Sequence, residues 1–385
     1  MVRRIRIAPR PDFADYAREI GFEYHTIDGK PYWQEGVYYA FSLRQIEDDL
    51  EAPSQELAAM CVDLIDSVVT SEARLDRLRI PAHARPLIAE SWKRRDPSLY
   101  GRFDLVYDGR GPARLLEYNA DTPTSLFEAG VVQWHWLENA RERGALPPEA
   151  DQFNSIHDRL IERWRELAAG QHVHFTCMKG SVEDESTISY LADCAVQAGA
   201  STSAIYIDDI GLSGNRFVDL AMKPIDHLFK LYPWEWMFGD EFSRSPAMSS
   251  TDFMEPAWKS LLSNKGLLAL LWEKEPGHPN LLPAYFETDP KAASLARNHV
   301  RKPLYSREGA NVEIVERGRV AAQSDGSYGA EGYVLQELAM APRFDGLHTI
   351  IGSWIVGDTA CGIGIREDPS PITGNTSCFA PHAIL

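Results

Sequence analysis

Residues 102–122 read RFDLVYDGRGPARLLEYNADT. Phe103, Leu105 and Tyr107 alternate before a turn at Asp108-Gly109-Arg110-Gly111, and Leu115 and Leu116 follow it, the pattern of a β-hairpin. Residues on one face of an antiparallel pair meet across the ladder, so Asp104 is expected to face Glu117 and Asn119. Two carboxylates and an amide gathered there repel unless a cation joins them. A hard, oxygen-loving ion such as Mg²⁺ suits the set. On that reading, removing one carboxylate leaves the stability of the metal-free protein unchanged or raised. Arg102 is expected on the opposite face or at the strand end, where it can fork onto a carboxylate or phosphate. A surface hairpin with scattered charge is the competing reading.

The chain has 385 residues, enough for two or three packed subdomains, and its 44% hydrophobic and 25% charged content is ordinary for a soluble globular protein. Its longest apolar run, Gly266 to Trp272, is too short to cross a bilayer. The basic start MVRRIRIAPRP has no apolar signal core after it, so a cytoplasmic location is expected, without membrane association. Five cysteines, none at zinc-ligand spacing, suit reduced thiols there. A formal charge of −17 argues against nucleic acid and favours cationic small molecules.

Three regions are expected. Residues 1–170 read as largely helical up to about Tyr100, then as the hairpin, then as helices over 126–139 and 153–169. Residues 171–250 hold strand HVHFTCMKG, helix DESTISYLADCAVQAGA and strand STSAIYIDDI, the β-α-β order of a Rossmann-like layer, without a dinucleotide fingerprint. Residues 251–385 begin with a helix broken at Asn264-Lys265-Gly266, continue as antiparallel strands, and end in the loop-like PSPITGNTSCFAPHAIL.

Four separated pieces can converge on one nucleotide: the hairpin, Lys265, the run Lys302 to Gly309, and Gln336-Glu337-Leu338. Lys302 leaves a strand, and the loop Ser306-Arg307-Glu308-Gly309 offers backbone N–H groups and a guanidinium to phosphate oxygens. The backbone of Gln336, Glu337 and Leu338 can read the edge of a flat heterocycle. Each has a plainer reading, a solvated lysine or an ordinary hairpin loop. His172 and His174 share a strand face but show no third metal ligand. Cys177, Cys194 and Cys361 read as core, as do Trp234 and Trp236, the latter pair also able to wall a cation.

The blocks RFD…EYNADTPTSLFEAG, EPAWKSLLSNKGLLALLW, RKPLYSREGANVEIV and FDGLHTIIGSWIVGDTACGIGIRED together resemble the synthetase domain of glutathionylspermidine synthase, in the family's order over nearly the whole chain. The resemblance implies an α/β (α+β) ATP-grasp fold of the permuted, glutathione-synthetase-like type with a Rossmann-like pre-ATP-grasp subdomain, and no amidase domain. It implies ATP and Mg²⁺ as cofactors, and an amide bond formed between a peptide-like acid and a di- or polyamine through an acyl phosphate. By the same resemblance Asp104, Glu117 and Asn119 hold Mg²⁺, and Arg102 steadies the reacting carboxylate. Lys265 and Lys302 hold nucleotide phosphates, Arg307 closes over the reaction with Gly309 beside it, and Thr122, Thr124, Ser125, Glu185 and Arg366 contact the peptide. Ser125 stands where glutathione-using members carry cysteine, and Glu308 replaces a small or thiol residue. An acidic residue beside triphosphate motivates a second reading, a non-catalytic nucleotide-binding protein of the same fold.

Overall fold

The computed structural model describes residues 1–27, 29–374 and 377–385. The hairpin forms, and it lies inside the largest sheet. Tyr100–Val106 pairs antiparallel with Arg114–Asn119, setting Asp104 opposite Glu117 and Arg102 opposite Asn119. Its other side is taken by Leu347–Val356, which places Gly352 opposite Asp104. Thr359–Asp368 and Cys378–Ala380 extend the sheet further. Phe103 and Leu105 point into a core shared with Leu57, Cys61, Leu64 and Ile65 of the helix Ala52–Val69. With a side-chain period of two, that packing forces Arg102 and Asp104 together onto the other face.

A second, five-stranded antiparallel sheet runs in the order Ala284–Phe286, Tyr333–Glu337, His299–Pro303, Glu313–Glu316, Arg319–Gln323. The third layer is parallel, in the order Asp252–Met254, His227–Lys230, His172–Cys177, Ser201–Tyr206. Helices Ile156–Ala168 and Val182–Gln197 bury Leu160, Trp164, Leu191 and Cys194 against its Val173, Phe175 and Cys177. The expected β-α-β unit is therefore present, and its sheet gains two further strands.

Two expectations are corrected. The first hundred residues are not largely helical until Leu43; before it stand the strands Arg3–Arg6 and Val37–Phe41 and one short helix, Phe13–Glu19. The C-terminal stretch is not all loop, because His382–Ile384 pairs parallel with Val37–Phe41. Val37–Phe41 is buried along its whole length, and its partners lie at opposite ends of the chain, so no local periodicity marks the short final strand.

Candidate active site

Between the hairpin and the five-stranded sheet lies a cleft of about 100 Å³, lined by Asp104, Glu117, Lys265, Lys302, Gly309 and Leu338 among others. Arg102 is not on the far face: its Nε and Nη2 donate to the two Asp104 oxygens at 2.6 and 3.1 Å, and Nη1 donates to the Thr124 carbonyl at 2.7 Å. Gly352 leaves the room for this fork, since a Cβ there would stand 2.8 Å from Arg102 Cδ.

Asn119 bridges the carboxylates, its Nδ2 donating to Glu117 Oε1 at 3.1 Å and to Asp104 Oδ2 at 3.3 Å. Lys265 Nζ stands 3.0 Å from Glu117 Oε2 and donates to the Ser306 carbonyl at 2.6 Å. The broken helix aims that lysine: Asn264 accepts from the Gly266 N–H and donates to the Leu78 carbonyl, both at 2.8 Å. Burial pushes the Glu117 carboxyl up, but Lys265 and Lys302 prevail and hold it below the usual range.

Lys302 Nζ donates to the Leu116 carbonyl at 2.8 Å and to Gln336 Oε1 at 2.7 Å. Burial pushes this lysine down to about 8, against the pull of Glu117. The buried Gln336 also donates to the Leu115 carbonyl at 2.8 Å, so its side chain ties the hairpin to Lys302. The N–H groups of Glu337 and Leu338 donate to the carbonyls of Pro283 at 2.7 Å and Asn298 at 3.4 Å, and of this trio Leu338 lines the cleft.

The donor set fits a divalent cation. Asp104 and Glu117 supply hard oxygens, and turning the Asn119 amide about its terminal bond would present its oxygen to the same point. Among the described residues no three His, Cys, Asp or Glu side chains gather at metal-binding spacing, so an amide has to complete the set. His172 instead bonds Ser201, and His174 lies 3.6 Å from Asp219.

Arg307 precedes the cleft-lining Gly309 by two residues and does not itself line the cleft. Nε donates to Glu235 Oε1 at 2.8 Å and Nη1 to Thr122 Oγ1 at 2.6 Å, with the Trp236 ring 5.9 Å away. Gly309 has φ +70°, and a Cβ there would meet the Thr373 carbonyl at 2.5 Å. Ser125, buried and at φ +70°, accepts a 3.3 Å bond from Arg366.

Glu185 is not brought to this group. It accepts from Tyr206 at 3.1 Å and lines a separate groove with His174 and Asp219. Residues two apart on a helix point to opposite sides, and Glu183 is the one turned inward, accepting from Tyr32 at 3.3 Å. Opposite it is Glu128, 1% exposed, with neither oxygen hydrogen-bonded; burial and Glu183 push its carboxyl up to about 8. Burial and the same Glu183 push Asp184 up to about 6. The sequence reading missed Glu128, Glu183 and Glu235. One signal was available for Glu128, an acidic residue inside the apolar stripe Leu126, Ala129, Val132.

The sequence profile described as glutathionylspermidine synthase preATP-grasp matches residues 4–385. The chain belongs to the glutathionylspermidine synthase family. A Haemophilus influenzae member named "Putative acid--amine ligase" is 44% identical over 97% of both chains. Trypanothione synthetase of Crithidia fasciculata is 30% identical over 81% of this chain, which spans 51% of that relative's length. The bifunctional glutathionylspermidine synthetase/amidase of Escherichia coli is 24% identical over 94% of this chain and 62% of its own. A glutathione synthetase-like effector from Globodera pallida superposes with a TM-score of 0.54 at 11% identity, covering 90% of this chain and 89% of that one. The fold is thus of the glutathione-synthetase-like, ATP-grasp type expected for the family. Among the described residues no helix is long and apolar enough to cross a membrane.

Proposed function

We propose that this family member is an ATP- and Mg²⁺-dependent ligase joining a peptide-like carboxylic acid to a di- or polyamine through an acyl phosphate. The observation that carries the reading is the convergence of Asp104, Glu117, Lys265 and Lys302 on one cleft. Mg²⁺ held by Asp104, Glu117 and Asn119 would screen phosphate oxygens. In-line phosphoryl transfer needs positioned charge more than covalent help, and Lys265, Lys302, Arg102 and Arg307 supply it. The acid's carboxylate oxygen takes the γ-phosphoryl group as ADP leaves. A neutral amine then forms the C–N bond as inorganic phosphate departs.

The amine end is read at Glu128, Glu183 and Asp184. Burial raises all three carboxyls, Glu128 to about 8 and Asp184 to about 6, so these two can accept a proton near neutral pH, and the buried Glu128 oxygens, without hydrogen-bond partners, favour a cationic guest. The Arg366–Ser125 contact marks the acid's side of the site. The test is phosphate release with ATP, Mg²⁺ and a panel of peptides and amines. Release is expected only when acid and amine are both present. ATP binding without turnover across the whole panel would support the non-catalytic alternative.

A further inference from the structure

Asp121 closes the EYNAD motif, and its side chain has no exposed surface. Oδ1 accepts a 2.6 Å bond from the fully buried Lys230, and Oδ2 accepts one of 2.8 Å from the backbone N–H of Trp234. Lys230 is held in turn by the Tyr232 carbonyl at 3.0 Å and lies 4.5 Å from the centre of the Trp234 ring. Asp121 and Lys230 line neither the nucleotide cleft nor the small cavity between Arg102 and Arg366.

What Asp121 joins is informative. The residue after Asp121 is Thr122, and the residue after Trp234 is Glu235. These two accept the Nη1 and Nε hydrogen bonds of Arg307. Segments 113 residues apart in sequence are thus pinned together one residue before each presents its acceptor. We propose that Asp121, bonded to Lys230 and to the Trp234 N–H, is a positioning residue that builds the two-point receptor for Arg307. The proposal rests on the reading of Arg307 as the group that acts on the transferred phosphoryl.

The chemistry demands a carboxylate. Both Asp121 oxygens accept from donors, an ammonium on one side and an N–H on the other. An asparagine must present its NH₂ to one of them, donor against donor, whichever way it is turned. A buried ion pair adds little net stability over an apolar pair of the same shape, but it holds a geometry that an apolar pair would leave adjustable.

The test compares Asp121→Asn with the unaltered protein by hydrogen exchange over residues 233–236 and 304–311, alongside ATP affinity by calorimetry and ligase kinetics. Exchange in both segments is expected to rise by about tenfold or more, as for release of a locally held segment. kcat should fall as far as in Arg307→Ala, with the ATP Kd changed less than about twofold. The double variant Asp121→Asn/Arg307→Ala should be no slower than Arg307→Ala alone. Unchanged exchange at 304–311, or additive losses in kcat, would overturn the proposal. If Asp121→Asn fails to fold, Thr122→Val should release the 304–311 segment and Thr122→Ser should retain it; identical behaviour of the two also overturns it. The exchange arm is independent of turnover. Release of both segments in a protein with no ligase activity supports the receptor while sinking the ligase reading.

Discussion

The Lys265 ammonium stands 3.0 Å from Glu117 while Arg102 forks onto Asp104 beside it, so each hairpin carboxylate has its own protein cation. The repulsion expected from the sequence is therefore already neutralised without a metal, and the stability expectation reverses. Glu117→Ala should abolish turnover and also destabilise the protein by about 2 kcal/mol, because Lys265 and Lys302 lose their shared counter-charge in a buried site. The sign with pH follows from a carboxyl held below its usual range. Its contribution is complete above the unfolded value near about pH 4 and disappears as pH falls through the lower folded value. Urea denaturation at several pH values checks this. An unchanged or raised midpoint at pH 7 would restore the repulsion picture.

Gly352 offers a test that touches no charged group. An added Cβ would stand 2.8 Å from Cδ of the buried Arg102, so Gly352→Ala should push that side chain off Asp104. Overpacking of this kind costs about 1–3 kcal/mol. Turnover should fall as it does in Arg102→Ala. Wild-type kcat in Gly352→Ala would show that the fork is dispensable.

The hairpin and its facing carboxylates were legible because a period of two and a Gly-rich turn are local signals. Arg102 was misplaced although the same period puts it beside Asp104. The final strand His382–Ile384 was missed because its partner lies at the other end of the chain. Glu235 could not be found locally, since its role depends on Arg307, 72 residues away. Glu183 and Glu185 are both acidic residues on one helix, and only the packing of that helix distinguishes inward from outward.

Glu128 carries a carboxyl pushed up to about 8 with no hydrogen-bond partner for either oxygen. A folded-state value above the unfolded one makes the protonated acid stabilising at low pH, and that benefit is lost as pH rises through about 8. Glu128→Gln should therefore raise stability at pH 8 by on the order of 1–3 kcal/mol and flatten the slope between about pH 4 and 8. Thermal melts across that window test it. The same variant should weaken amine binding, and unchanged amine KM would remove Glu128 from the amine site.

Arg307 should separate catalysis from binding. Its guanidinium rests on Glu235 and Thr122, so ground-state ATP affinity owes it little. Arg307→Ala is expected to lower kcat by about 10²-fold with the ATP Kd nearly unchanged. Arg307→Lys should recover only part, because one ammonium cannot reach both acceptors as the fork does. Weak ATP binding with normal kcat at saturation would make the loop a binding element instead.

Lys302 should show the complementary behaviour, with a pH signature. Its ammonium is buried against Leu116 and Gln336, and burial has pushed its pKa down to about 8. The lysine is thus charged below that value and loses its charge as pH rises through it. Phosphate oxygens favour the charged form, so ATP binding must raise the pKa and take up a proton at and above pH 8. The ATP Kd should be flat below about pH 7.5 and weaken by up to about tenfold per pH unit above 8. Lys302→Met should weaken binding at neutral pH, raise KM more than it lowers kcat, and abolish that slope. Calorimetry at pH 8 in buffers of different ionisation enthalpy counts the protons directly. Uptake that persists in Lys302→Met, or a wild-type Kd that ignores pH between 7 and 9, would assign the phosphate contact to another residue.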